Sequence, residues 1–158
     1  MIALSFVDSL TFDSRVRWFK EEGLTNNYFE AKATLNRERY SIKFAENGSF
    51  QDAEIEIKQN KIPKDVYSNI LAVFTKNYER FKIEKIQIQY SGDREAVLNF
   101  LRENIKNQNC VTINYEVVIS VRVRGKFVSL EYTFSESGDF LFSKTIIETR
   151  KSNIDTGL

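Results

Sequence analysis

The chain has 158 residues, 42% hydrophobic and 28% charged, and 23 basic residues against 22 acidic ones leave a net charge of +1. That length fits one domain or two small, closely packed units, and a chain of this size buries roughly 70% of its unfolded surface without a disulfide or a metal. The composition is that of a globular protein, and the charge balance leaves no global field to attract nucleic acid.

The predicted elements begin at an apolar run, Met1 to Val7, which meets Asp8. It lacks a basic leading region and is shorter than a usual export signal core, so it is not a complete signal peptide. It reads instead as a short helix over 2–12. Val16 to Lys20 reads as a first strand ending at Gly23. Phe29, Ala31, Ala33 and Leu35 alternate with Glu30, Lys32 and Thr34, and Tyr40, Ile42 and Phe44 alternate with Ser41 and Lys43. Strict alternation marks half-buried strands. Asn47-Gly48 signals a hairpin turn, after which Ala53, Ile55 and Ile57 oppose Asp52, Glu54 and Glu56. A four-stranded meander is expected.

At Pro63 the period changes. Ile62, Val66, Ile70, Val73, Phe74 and Phe81 form an apolar stripe that predicts a helix over 63–80, with Pro63 in its first turn. Ile83 to Tyr90 is strand-like. Asp93 is the predicted N-cap of a second helix through Val97, Leu98, Leu101 and Ile105. Strands follow at Tyr115 to Arg122, Val128 to Phe134 and Phe140 to Glu148, with a turn at Ser135 to Gly138. The tail, 151–158, is polar and predicted to fray.

The two halves align. Phe29 to Leu35 matches Tyr115 to Val121 at an offset of 86, and Tyr40 to Phe50 matches Leu130 to Phe140 at an offset of 90. The four-residue difference is assigned to the hairpin loop near Gly125. The strands Val16 to Gly23 and Lys85 to Gly92 match at an offset of 69. The expected fold is α+β: two tandem units, each a helix plus a four-stranded antiparallel β-meander, with the sheets packed by helices on one face. The first unit spans 1–60. The second spans 61–150 and carries the helix from Asp93 as an insertion.

Catalytic chemistry finds little purchase. With no histidine the chain lacks the commonest general base and metal ligand, and every Ser-His or Cys-His pair. Cys110 is the sole cysteine, so no intramolecular disulfide forms, and it reads as a small, partly buried residue. The row Asp52, Glu54 and Glu56 suits a hydrolase or a calcium site in principle. It is better read as the solvent face of a strand with Lys32, Arg39 and Lys43 across it. No phosphate loop, no zinc spacing and no cofactor signature is present. Arg122, Arg124 and Lys126 read as the solvated end of a hairpin, too small for a nucleic-acid footprint.

One asymmetry stands out. Where the first unit has Lys32, Asp52 and Glu56, the aligned positions of the second are Val118, Phe142 and Ile146, and Phe127 adds an apolar residue outside the strand register. Two readings stay open: burial of this second face under the inserted helix or through a bulge, or a surface formed by these four residues for protein binding or self-association.

The segments Tyr40-Ser41-Ile42-Lys43-Phe44 with Gly48, Asp52 to Ile57, Ile83 to Gly92 and Val16 to Glu22 resemble the periplasmic PepSY-like, beta-lactamase-inhibitor-like proteins of bacteria. The resemblance covers about residues 15 to 148 and rests on strand patterns. It implies tandem helix-plus-four-strand units, periplasmic or secreted location, and binding of another protein through a sheet face, as an inhibitor or sensor. No inhibitory residue carries over. The expectation is therefore a non-enzymatic binding module with an unidentified protein partner, no cofactor, no nucleic acid and no transmembrane segment. The alternatives are a structural or self-associating protein, such as a homodimer, and a carrier of a small apolar ligand.

Overall fold

A computed structural model of the chain describes residues 2–22, 26–103, 110–146 and 151–154. These hold three α-helices and nine strands, and every strand pair with a defined register is antiparallel, so the fold is α+β. The chain divides into two compact units. One comprises Met1–Ile55, Tyr90–Thr112 and Glu148–Leu158, and the other Glu56–Gln89 and Ile113–Ile147.

The first unit contains α1 (Ile2–Asp8), β1 (Arg17–Glu22), β2 (Asn27–Leu35), β3 (Glu38–Ala45), β4 (Phe50–Glu56), α3 (Arg94–Glu103) and β9 (Lys151–Ile154). Its strand order is β4-β3-β2-β1-β9. Alternation places Ala31, Ile42 and Ala53 side by side on the core face, each at most 2% exposed. Phe6 of α1 packs into this face. Its ring stacks on Phe50 at 4.7 Å and meets Phe44 edge-on at 6.1 Å. Rings in such arrangements contribute beyond their buried area. Arg94 of α3 holds the same helix from above, with its guanidinium 5.6 Å from the Phe6 ring and Nη2 donating to Ser5 Oγ at 2.9 Å. Asp93 caps α3 as predicted, its Oδ1 accepting from the Ala96 N–H at 2.9 Å.

The second unit contains a 3₁₀ turn (Gln59–Lys61), α2 (Lys64–Asn77), most of β5 (Phe81–Gly92), most of β6 (Val111–Val123), β7 (Lys126–Ser135) and β8 (Phe140–Thr145). Its strand order is β8-β7-β6-β5. Val66, Ile70 and Phe74 of α2 pack on Ile86, Tyr115, Val117, Ile119, Val121, Tyr132 and Phe134. Phe74 is the hub, with ring centroids 5.1 Å from Tyr132, 5.6 Å from Phe134 and 5.3 Å from Phe81. Beyond the helix end, the Tyr78 and Tyr132 hydroxyls meet at 2.6 Å.

That pair yields a titration expectation. Burial first, then the hydrogen bond that the Tyr78 hydroxyl donates to Tyr132, push the Tyr78 phenol up from 10.0 to about 12. A raised pKa favours the neutral phenol in the folded state, so its contribution to stability is complete below pH 10 and is lost as pH rises through 12. Ultraviolet difference absorbance should show Tyr78 ionising after the half-buried Tyr67, whose phenol is raised by burial alone. Tyr132→Phe should lower its pKa only partway, since burial remains; coincident titration of Tyr78 with Tyr67 in the native chain would contradict the pairing.

Several expectations change at this level. The helix from Asp93 groups with the first unit rather than the second, and its Phe100 lies 5.0 Å from Tyr90. An amphipathic stripe says that a helix covers something apolar; it does not say which sheet. Within 151–158, Lys151–Ile154 is not frayed but pairs antiparallel with Trp18 to Glu21, which supplies main-chain partners to an otherwise open strand edge. Residues 155–158 lie outside the described residues, as does the expected turn at Gly23. The four extra residues near Gly125 do not enlarge a loop. Both hairpins close in two residues, Asn36-Arg37 and Arg124-Gly125, all at positive φ, and the longer one adds the pairs Arg122↔Phe127 and Val123↔Lys126. The first helix is also shorter than 2–12, ending at Asp8.

Candidate protein-binding surface

Each unit has a sheet face turned away from its helices. In the first, cross-strand register aligns Glu30, Lys43 and Asp52 in one row, and Lys32, Ser41 and Glu54 in the next. The carboxylate row read as solvated is not: Glu54 is 4% exposed and receives Lys43 Nζ at 3.3 Å. Glu30, also 4% exposed, accepts from Ser41 Oγ and binds Lys32 Nζ at 3.1 Å. Charges so enclosed persist only when paired, and here each carboxylate has its ammonium. Among the described residues no group of three or more His, Cys, Asp or Glu is placed to hold a metal ion.

In the second unit the corresponding face carries Glu116, Val118, Ser120 and Arg122 of β6, Phe127, Ser129, Glu131 and Thr133 of β7, and Phe142 and Lys144 of β8. The sequence placed Val118, Phe142, Ile146 and Phe127 on this face, and the register puts Val118, Phe142 and Phe127 there directly. Ile146 follows β8 and donates its N–H to the Ser129 carbonyl at 2.9 Å, which continues the same alternation. They do not form one apolar sheet. Val118 is 7% exposed, enclosed beside Glu131, so it is not a surface residue. Phe142 is 54%, Ile146 39% and Phe127 78% exposed. Polar side chains lie between them: Thr133 faces Phe142, and the Glu131–Lys144 ion pair of 2.7 Å separates it from Ile146.

A bulge accounts for the run Phe140-Leu141-Phe142. Phe134 pairs with Phe140 but Thr133 with Phe142, so Leu141 is the extra residue. Phe140 stays on the helix side, 5.6 Å from Tyr132 and 6.2 Å from Phe134, while Phe142 emerges on the opposite face. Sequence reasoning missed Phe140 and Leu141 as surface residues. The signal was available in three consecutive apolar residues that break the alternation. All six residues of β8 are exposed, and β8 ends the strand order.

A separate open cleft of about 370 Å³ in the first unit is lined by Tyr40, Ile55, Tyr90, Phe100 and Leu101, with Arg102 and Glu103. Burial, and secondarily the Glu38 carboxylate, raise the Tyr40 phenol pKa. Cys110 is half-buried, and its carbonyl accepts the Asp93 N–H at 2.9 Å. No helix among the described residues is long and apolar enough to cross a membrane.

The fold recurs in known structures. The chain is similar to a BLIP-like protein from Bacteroides fragilis at 17% identity and a TM-score of 0.52, over 90% of this chain and 85% of that one. It is similar to a DUF2874 family protein from Bacteroides ovatus at 12% identity and a TM-score of 0.57, over 91% and 85%. A provisionally periplasmic protein from Bacteroides eggerthii gives 11% identity and a TM-score of 0.57, over 92% and 87%. Likeness at these identities establishes the shared fold. Neither a family model nor a curated protein matches the sequence.

Proposed function

We propose that this chain is a non-enzymatic protein-binding module of the bacterial envelope, acting as an inhibitor or sensor of another protein there. The observation that carries the proposal is β8: a terminal strand with six exposed residues, among them Phe140, Leu141 and Phe142. Natural edge strands are usually shielded by charge, proline or a covering element, because bare main-chain groups recruit further strands. An edge that joins free hydrogen-bonding groups to apolar side chains is suited to strand addition by a partner. The BLIP-like neighbour supports an inhibitor-like role, and the Bacteroides eggerthii neighbour supports the periplasm.

We also read the two units as copies of one plan. Ala31↔Ile42 and Val117↔Tyr132 stand at the offsets of 86 and 90, and the bulges at Lys43/Phe44 and Thr133/Phe134 stand at 90. The turns after β3 and β7 repeat as well: Ala45 N donates to Ser49 O, and Ser135 N to Asp139 O, both at 2.8 Å. PepSY-like kinship would follow from this plan, and self-association through β8 is the second reading.

Capture from a Bacteroides envelope extract tests the contact. The native chain should retain a partner that Phe142→Asp releases, with circular dichroism unchanged because the ring is 54% exposed. Size-exclusion mass measurement of both proteins reads out the second reading in the same samples. If Phe142→Asp altered neither the captured proteins nor the mass, β8 would not be the contact.

A further inference from the structure

The hairpin joining β6 to β7 carries a surface that neither the core nor the proposed β8 contact uses. Its end, Arg122 to Phe127, holds three basic residues, and no acidic residue lies between Glu116 and Glu131 in the sequence. Among the described residues none of the three has an ion-pair partner, and Arg122 Nε donates instead to the Gly125 carbonyl at 3.3 Å. Beside these cations Phe127 is 78% exposed, the most exposed large apolar residue described, and Val123 is 48% exposed. The β2–β3 hairpin ends two pairs earlier and carries Glu38 between Arg37 and Arg39 at its turn, so the added pairs bring Arg122, Val123, Lys126 and Phe127, and Arg124 comes from the turn itself.

Arg122 faces Phe127 across one side of the ribbon, and Val123 faces Lys126 across the other. Each side therefore pairs one apolar group with one cation, and Arg124 caps the end. A flat docking contact would gather the apolar groups on one side. Here only end-on entry buries both, with Arg124 leading and Lys126 level with Val123, so the cations must extend sideways and back along the ribbon to reach the phosphates. A lipid–water boundary meets that demand: apolar side chains enter the acyl margin while basic ones stay with the phosphates, whichever way they point.

We propose that the β6–β7 hairpin tip is a membrane-surface anchor, entering an anionic lipid interface with Phe127 and Val123 while Arg122, Arg124 and Lys126 engage the phosphate headgroups. The anchor is independent of the β8 contact and leaves it free.

Co-sedimentation of the full chain with lipid vesicles tests the anchor. Vesicles of equal parts phosphatidylcholine and phosphatidylglycerol should retain the chain at low salt, and pure phosphatidylcholine should not. Arg124→Ser should weaken partitioning about fivefold, the effect of one basic residue near a charged surface. Phe127→Ser should weaken it at least about tenfold, since the ring provides most of the inserted area. Both side chains are exposed or at the turn, so circular dichroism should not change. Failure of the anionic vesicles to retain the chain would overturn the proposal, as would undiminished binding by Phe127→Ser. Equal, Phe127-dependent binding to soluble polyglutamate would also overturn it, in favour of an acidic protein partner.

Discussion

Phe74→Ala is expected to lower stability by about 4 kcal/mol, the range found when a fully enclosed aromatic ring is removed and the cavity only partly closes. Phe74 has no exposed surface and sits at the centre of three rings, two of which, Tyr132 and Phe134, meet it edge-on at 89° and 87°. Those rings come from a different element than the helix that carries Phe74. Their positions are fixed by the β6–β7 ladder, so they cannot readily fall into the space left behind. Urea unfolding followed by near-ultraviolet circular dichroism measures the loss, and the aromatic signal itself should drop before denaturant is added. A cost below about 2 kcal/mol would mean that the surrounding rings can collapse onto α2, against the rigidity the ladder gives them.

Gly92→Ala should be comparably damaging, at about 3 kcal/mol or more, for two separable reasons. The residue has φ of 121°, a conformation that costs a side-chain-bearing residue of order 1–3 kcal/mol. A Cβ there would also enter the Cys110 carbonyl oxygen, which is main chain and cannot rotate away. That carbonyl accepts the Asp93 N–H just before α3, so relief of the clash would disturb the helix start. Gly48→Ala is the internal control. Gly48 has φ of 83°, but a Cβ added there would meet nothing within 4 Å, so it reports the conformational cost alone. Denaturation midpoints for the two variants should differ clearly, and equal midpoints would show that the approach to Cys110 contributes nothing.

Much of the fold was legible because its information is local. Alternation and turn chemistry give β2, β3, β4, β6 and β7. What the sequence left open depends on partners distant along the chain. The stripe Val97, Leu98 and Leu101 identifies a helix without naming its sheet. Lys151 to Ile154 has too little alternation to announce a strand, and pairs because β1 presents an edge. Alternation also misled about exposure. Glu30, Glu54 and Glu116 occupy outward positions yet are at most 6% exposed, since long neighbours fold over them. The candidate surface was half visible for a related reason: Phe142 and Ile146 were found by comparing the halves and Phe127 by its place outside the strand alternation, whereas Val118 is covered and Phe140 and Leu141 depend on the bulge.

The division of the chain bears on how it acquires its structure. The first unit draws on three stretches, Met1–Ile55, Tyr90–Thr112 and Glu148–Leu158, and the second on two that interleave with them. Hairpins such as β2–β3 and β6–β7 close over a few residues and need little search. The β1–β9 ladder joins residues near opposite ends of the chain, and its loop-closure entropy is recovered only after everything between has been made. During synthesis the emerging chain therefore holds its first meander with one edge still open until β9 emerges to seal it.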